Sequence, residues 1–295
     1  MSTLAPPRPL DHLVLPTADL AVARERLTAV GFTVAPIGIH PFGTENACIY
    51  LADGTFLEPL ATGDAGKVEE AASAGNVFVA RDRQFRRRNG AEGFSAVVFG
   101  TGNADNDHAS FVRAGISAGD RLDFSRPFVD ASGRADEASF RLAFAAEGGE
   151  PDAFFFTCER ANVPQVDRSA LQAHANGATR IAAVFACVEH PAAHARFFET
   201  VAGAPANVVG GRLEVELANA AIQLLDPADF VDEFGPDAPA TAALRLAAVE
   251  FQVPDLAPVE RHLAATATRY QRRDARLIVP AAPGQGAIFV FKEFS

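Results

Sequence analysis

The sequence predicts an α+β protein built from four βαβββ modules that pair two by two. Three observations predict it. Residues Leu10 to Pro59 run strand, helix, strand, strand, strand, and the same order returns from Phe94, from Ile181 and from Leu244. The chain is 295 residues long with 48% hydrophobic content, enough apolar surface for two sizeable cores. A unit with one crossover helix and a small curved sheet cannot bury both faces alone, so four units imply two pairs.

In the first module, Leu10-Asp11-His12-Leu13-Val14-Leu15 is a compact apolar run with one polar intruder, His12, and reads as a buried strand. Asp19 is placed to cap a helix in which Leu20, Ala23, Leu27 and Val30 recur at helical spacing, and Gly31 supplies its stop. A polar turn, His40 to Asn46, leads to strands at Ala47 to Leu51 and Thr55 to Leu60, with Asp53-Gly54 as the hairpin signal between them. Residues 63–92 are polar and helix-prone and form an insert. Its basic run from Arg81 to Arg88 reads as a solvated helix face or linker, with an anion site as the alternative.

The second module opens at Phe94 to Gly100, has its helix at Asp105 to Ala114 before Gly115, and continues in strands near Arg121 to Phe128, Ala138 to Ala145 and Ala153 to Cys158. The third begins at Ile181 to Val188, has a helix at Ala192 to Val201 before Gly203, and closes with Leu213 to Leu217 and Ala221 to Leu225; Asp226-Pro227 reads as a turn. His190-Pro191 and His194 begin an exposed helix, and His108 and His262 read as helix-surface residues. The fourth module starts at Leu244 to Val253, where Pro254-Asp255-Leu256 echoes Thr17 to Leu20, and ends at Ala287 to Phe294. Glu159 to Thr179 is the most polar break in mid-chain. It divides the sequence into residues 9–160, holding modules one and two, and residues 178–295, holding modules three and four.

Charge and composition exclude several classes of function. Thirty-seven acids against 26 Lys plus Arg give a formal charge of −11, which repels phosphate backbones and anionic lipid. No nucleic acid or membrane partner is expected; a small molecule is. The N-terminus lacks a basic segment followed by an apolar core, and no apolar run is long enough to span a bilayer, so the expected location is cytoplasmic. Cys48, Cys158 and Cys187 sit singly in apolar runs, as packed thiols do in a reducing compartment, and their spacing excludes a zinc finger.

The first module resembles the vicinal oxygen chelate superfamily, which includes glyoxalase I, extradiol dioxygenases and bleomycin-resistance proteins. The residues that carry the resemblance are Leu10 to Leu15, Asp19-Leu20, Gly31-Phe32, His40, Gly43-Thr44, Asn46 and Leu57-Glu58. The likeness is specific over residues 10–60, looser over 94–160 and topological beyond 180. It implies that each pair of modules forms a U-shaped sheet around a cavity, with ligands on the first and last strands. His12 and Glu58 stand at those positions in the first module, as candidate ligands for a divalent metal such as Zn, Ni, Fe or Mn and as candidate catalytic residues. The second module departs from the pattern: Ala96 matches His12. The third offers Ala183 or Val184 and Gln223, and the fourth Ala248, so the second pair reads as structural.

A carboxylate within Phe56-Leu57-Glu58-Pro59-Leu60 needs a partner, for which His12 is the natural choice. His40, Thr44 and Asn46 are candidate ligand contacts because the resemblance places their turn over the cavity mouth. Glu159 and His174 sit at or just after the last strand of the second module; they are candidate ligand contacts, with a linker role the favoured reading. Two classes of function follow: a metal-dependent lyase, isomerase or dioxygenase acting on a small oxygen-bearing metabolite, or a non-catalytic small-molecule binder of the bleomycin-resistance kind. Each site can be completed within one chain, so both a monomer and a homodimer are compatible with it.

Overall fold

The structure is a computed structural model that describes residues 6–129, 135–148, 152–164, 166–235 and 243–294. The first module comprises β1 (Leu10–Pro16), α1 (Leu20–Ala29), β2 (Gly38–Ile39), β3 (Thr44–Asn46), β4 (Ile49–Tyr50) and β5 (Phe56–Thr62). Asp19 caps α1 by accepting hydrogen bonds from the Ala21 and Val22 amides. Helices α2 (Ala65–Ser73) and α3 (Val77–Asn89) follow as the insert. The second module comprises β6 (Ala96–Thr101), α4 (Ala104–Ala114), β7 (Leu122–Val129), β8 (Ala135–Ala145) and β9 (Phe154–Asn162).

A connection containing α5 (Ser169–Gln172) leads to the third module: β10 (Arg180–Cys187), a 3₁₀ turn at Pro191–His194, α6 (Ala195–Ala202), β11 (Ala206–Val209), β12 (Arg212–Glu216) and β13 (Ala221–Leu225). After α7 (Pro227–Phe234) comes the fourth: β14 (Arg245–Val253), α8 (Leu256–Ala265), β15 (Gln271–Arg273), β16 (Arg276–Val279) and β17 (Ile288–Glu293). The first two modules form one sheet in the order β2-β3-β5-β1-β6-β9-β8-β7, with β4 also on β5; the last two form another in the order β11-β12-β13-β10-β14-β17-β16-β15. Modules meet through antiparallel pairs, β1 with β6 and β10 with β14.

Side chains alternate along each strand, and the alternation divides the core. Leu13 and Leu15 of β1, Val184 and Ala186 of β10, and the buried stripes of α1, α4, α6 and α8 belong to one apolar cluster. These helices therefore lie between the two sheets, and each sheet turns its other face outward. Phe32 packs on Phe251, Phe289 and Phe291, while Phe155 packs on Phe197 and Phe198, so aromatic contacts link the first two modules to the last two at two places.

The two outward faces are closed differently, by elements at equivalent points in the chain. Following β13, α7 lays Phe230 and Phe234 on Ala183, Phe185, Ala248, Ile288 and Val290. Arg212 and Arg276 both bond Glu233, at 2.6 and 2.8 Å, and Arg276 also pairs with Glu250, which ties this helix down. Following β5, α3 puts Phe85 over Val14, Leu60, Ala96 and Phe144 and leaves the other end of its trough open.

Three local expectations are revised. Asp226-Pro227 is a helix start: the Asp226 carboxylate accepts from the Asp229 amide and Pro227 occupies the first turn, where its missing N–H costs nothing. The turn from His40 is shorter than expected, because Asn46 and Glu45 already pair with Leu60 and Ala61. The Arg81 to Arg88 run is only partly solvated. Phe85 is buried, and Arg86 bonds Asp82 and the carbonyls of Thr17, Leu60 and Ala91. Among the described residues no helix is long and apolar enough to cross a membrane.

Candidate functional site

The site begins with an irregularity in β1. Leu10 pairs with Phe99 and His12 with Val98, so Asp11 is the extra residue of a β-bulge. The bulge lets Asp11 and His12, neighbours in sequence, both face the open trough. Parallel pairing with β5 sets His12 beside Phe56 and Val14 beside Glu58. The His12 ring stacks on Phe56 at 4.3 Å, and its Nε2 stands 3.5 Å from Glu58 Oε2.

From these pairings a buried polar chain runs across the floor. Arg160 Nη2 donates to Asp11 Oδ2 at 2.8 Å, and His12 Nδ1 donates to Asp11 Oδ1 at 2.5 Å. Beyond His12, the Asn46 amide donates to Glu58 Oε1 at 2.6 Å and lies 3.4 Å from His40 Nε2; His40 Nδ1 contacts the Thr44 hydroxyl at 2.8 Å. Asn46 thus serves Glu58 and His40 with its two N–H groups, which leaves the His40 Nδ1 proton for Thr44.

Electrostatics separate the two histidines. Burial opposes charge on His12, yet Asp11 and Glu58 on its two nitrogens outweigh that cost and raise its pKa. Burial likewise works against ionised Glu58, but hydrogen bonding from His12, the nearby His40 and the Asn46 amide bring it down to about 2. For His40 burial wins, and its pKa falls to about 4. The floor therefore favours charge on His12, held between two carboxylates, and keeps His40 neutral alongside.

Above this floor is a cavity of about 1070 Å³, walled by Phe42, Phe78, Phe124, Phe140 and Phe156. Arg126, Arg160 and Arg168 reach into it, as does Tyr50. The Cys48 thiol also faces it and is pushed by burial up to about 12, out of reach of reactive thiolate chemistry.

Of the residues singled out in the sequence, His12, Glu58, His40, Thr44 and Asn46 come together here. Glu159 and His174 do not. On β9 the residues facing the trough are Phe154, Phe156 and Cys158, so Glu159 points the other way, where it accepts from the Ala104 amide at the start of α4. Glu293 does the same for Leu256 at the start of α8, which marks this as a capping position of the module. His174 is a linker staple: Nδ1 accepts from the Thr33 amide and Nε2 donates to the Tyr50 carbonyl, both at 3.0 Å. Asp11, Arg126, Arg160 and Arg168 were not singled out. Alternation from Phe156 pointed to Arg160, and from Phe124 to Arg126; nothing in the sequence announced the bulge that turns Asp11 inward.

Residues 10–202 match the family model described as a glyoxalase-like domain. The chain belongs to that family. The whole fold is shared with solved structures. A hypothetical protein from Staphylococcus aureus is 12% identical, with a TM-score of 0.65 over 97% of this chain and 99% of its own. A mutant of 4-hydroxymandelate synthase from Streptomyces coelicolor is 15% identical, with a TM-score of 0.62 over 98% and 93%. The Mn(II)-bound glyoxalase from Novosphingobium aromaticivorans is 12% identical, with a TM-score of 0.53 over 97% and 83%. No curated protein matches the sequence.

The glyoxalase-like fold raises the question of a resident divalent metal, and the donor set does not fit one. A catalytic site of this kind offers about three protein ligands; the matching strand positions of the first module supply two, His12 Nε2 and Glu58, and His40 Nε2, 3.6 Å from Glu58 Oε1, is turned to the Asn46 amide. In the second module Ala96 pairs with Phe154 as His12 pairs with Phe56, so Ala96 and Phe156 occupy the remaining ligand positions. The Asn46 amide sits on both His40 Nε2 and Glu58. Among the described residues no three His, Cys, Asp or Glu side chains are grouped to hold an ion.

Proposed function

We propose that the N-terminal cavity takes a small oxygen-bearing molecule with an apolar body, and that His12 and Glu58 act on it by proton transfer. One observation supports this above all. The second sheet has the same bulge and the same parallel register, with Ala182, Ala183 and Gln223 where the first has Asp11, His12 and Glu58. A module of this fold thus closes without the charged chain, and its burial in the first sheet serves something other than folding.

In this reading a carbonyl oxygen of the bound molecule accepts a hydrogen bond from His12 Nε2. Glu58 removes a proton from the adjacent carbon while His12 gives its proton to the oxygen, producing an enol; reversal restores the ketone. General acid–base assistance of this kind is worth roughly 10² to 10⁴ in rate. The test is exchange of the C3 protons of 4-phenyl-2-oxobutanoate for solvent deuterium, followed by proton NMR. Exchange by the wild type that disappears in Glu58→Gln, with binding retained, supports catalysis.

A second reading, binding without chemistry, is favoured by the low pKa of Glu58, since a carboxylate held at about 2 is a weak base. Binding of the keto acid with no exchange above the solvent rate would select it.

A further inference from the structure

We infer that the ligand of the N-terminal cavity carries an anionic headgroup, held by Arg126 and Arg168 in the cavity wall. This deepens the preceding section and rests on its assignment of a small molecule to this cavity. The chain bears a charge of −11, yet this cavity is lined by four cationic side chains, Lys67, Arg126, Arg160 and Arg168, beside His12, against three carboxylates, Asp11, Glu58 and Asp167. All three carboxylates are engaged. Asp11 is shared by Arg160 and His12, Glu58 by Asn46 and His12, and Asp167 accepts from the Ser169 amide.

Arg126 and Arg168 are not matched in the same way. Among the described residues neither guanidinium makes a hydrogen bond or an ion pair; each rests on a ring, Arg126 on Phe140 at 5.8 Å and Arg168 on Tyr50 at 4.9 Å. A guanidinium stacked on an aromatic face keeps its N–H edge free for a planar anion. Both act electrostatically on Cys48 and Tyr50, so their fields converge on one end of the cavity.

Gly38 gives independent support. Its backbone needs no glycine, since its φ is not positive, but a Cβ there would stand 2.7 Å from Arg126 Nη1 and 2.6 Å from Asn46 Oδ1. The missing side chain leaves room for Arg126 at the wall. The phenyl-lined remainder of the cavity suits an apolar or aromatic body, so the inferred ligand class is an amphipathic acid.

Calorimetric titration with 4-phenylbutanoate, 3-phenylpropyl phosphate and the neutral 4-phenylbutanamide tests this, in the wild type and in Arg126→Gln, Arg168→Gln and Gly38→Ala. Either acid should bind at least tenfold tighter than the amide, and each arginine replacement should remove about tenfold or more of that preference, as expected for a charge-assisted bond. The ratio between carboxylate and phosphate tells which headgroup the pair prefers. Gly38→Ala should weaken the acids and spare the amide. Equal affinity for acid and amide, indifference to the arginine changes, or no binding of either acid at 10 mM overturns the inference. Amide binding that shifts the His12 resonances without any preference for acid sinks the anion assignment alone. Arginine-dependent acid binding that leaves His12 unmoved sinks the proton-transfer reading alone.

Discussion

Asp11 and His12 are adjacent in sequence yet share one face of β1, joined by a 2.5 Å hydrogen bond between Oδ1 and Nδ1. A regular strand would point them to opposite faces. The bulge that aligns them allows one imidazole to be held by carboxylates on both nitrogens, and the chemistry proposed above depends on that.

Removing only the imidazole leaves two buried carboxylates facing each other. His12→Ala should therefore destabilise the protein by about 3–5 kcal/mol, the usual cost of stranding a buried charge. The triple variant Asp11→Ala, His12→Ala, Glu58→Gln copies the residues of the second sheet and should recover much of that loss. Urea unfolding of the two variants checks it; a triple variant less stable than His12→Ala would show that the charged chain stabilises the fold.

The histidines should respond to pH in opposite directions. His12 has a raised folded pKa, so its contribution to stability is complete below about 6.5 and is lost as pH rises through the folded value. His40 has a lowered one, so its contribution is complete above about 6.5 and is lost as pH falls toward about 4. Unfolding free energy measured from pH 4 to pH 10 should fall at both ends. His40→Gln should flatten the acid limb and leave the alkaline limb in place.

The donor set predicts that metal content does not depend on His12. Elemental analysis of wild type and His12→Ala, each purified without chelators, should find no stoichiometric Zn, Ni, Fe or Mn in either. One equivalent in the wild type that is lost in His12→Ala would reinstate the metal and require a ligand outside the two named.

Much of this architecture is legible in the sequence because it rests on local signals: the helical spacing of Leu20, Ala23 and Leu27, the cap at Asp19, and the repeated strand order. His12 and Glu58 were legible as polar residues inside apolar strands. What escaped depended on register or on distant packing. Glu159 was misplaced by one residue, which in a strand is the whole difference between the trough and the helix layer. The same misreading hid Arg160. Asp226-Pro227 carries a helix start that doubles as a turn signal, which conceals the plug α7 in the sequence.

The division of the chain near residues 159–180 is open to a direct test. Gln172, His174 and Asn176 of the connection bond the Leu51, Tyr50 and Val30 carbonyls, and Phe32 packs on rings of β14 and β17. A chain ending at residue 162 exposes that helix layer, and it should aggregate or remain a molten state that binds the dye ANS. A soluble fragment with a cooperative unfolding transition would establish an autonomous N-terminal unit.

The most direct measurement is ¹⁵N NMR of protein labelled at histidine, with and without 4-phenyl-2-oxobutanoate. At pH 7 the account predicts imidazolium shifts for both nitrogens of His12, neutral shifts for His40, and a change in the His12 Nε2 signal when the keto acid binds. A neutral His12, or a His12 signal that does not move at ligand concentrations where calorimetry records binding, would contradict it.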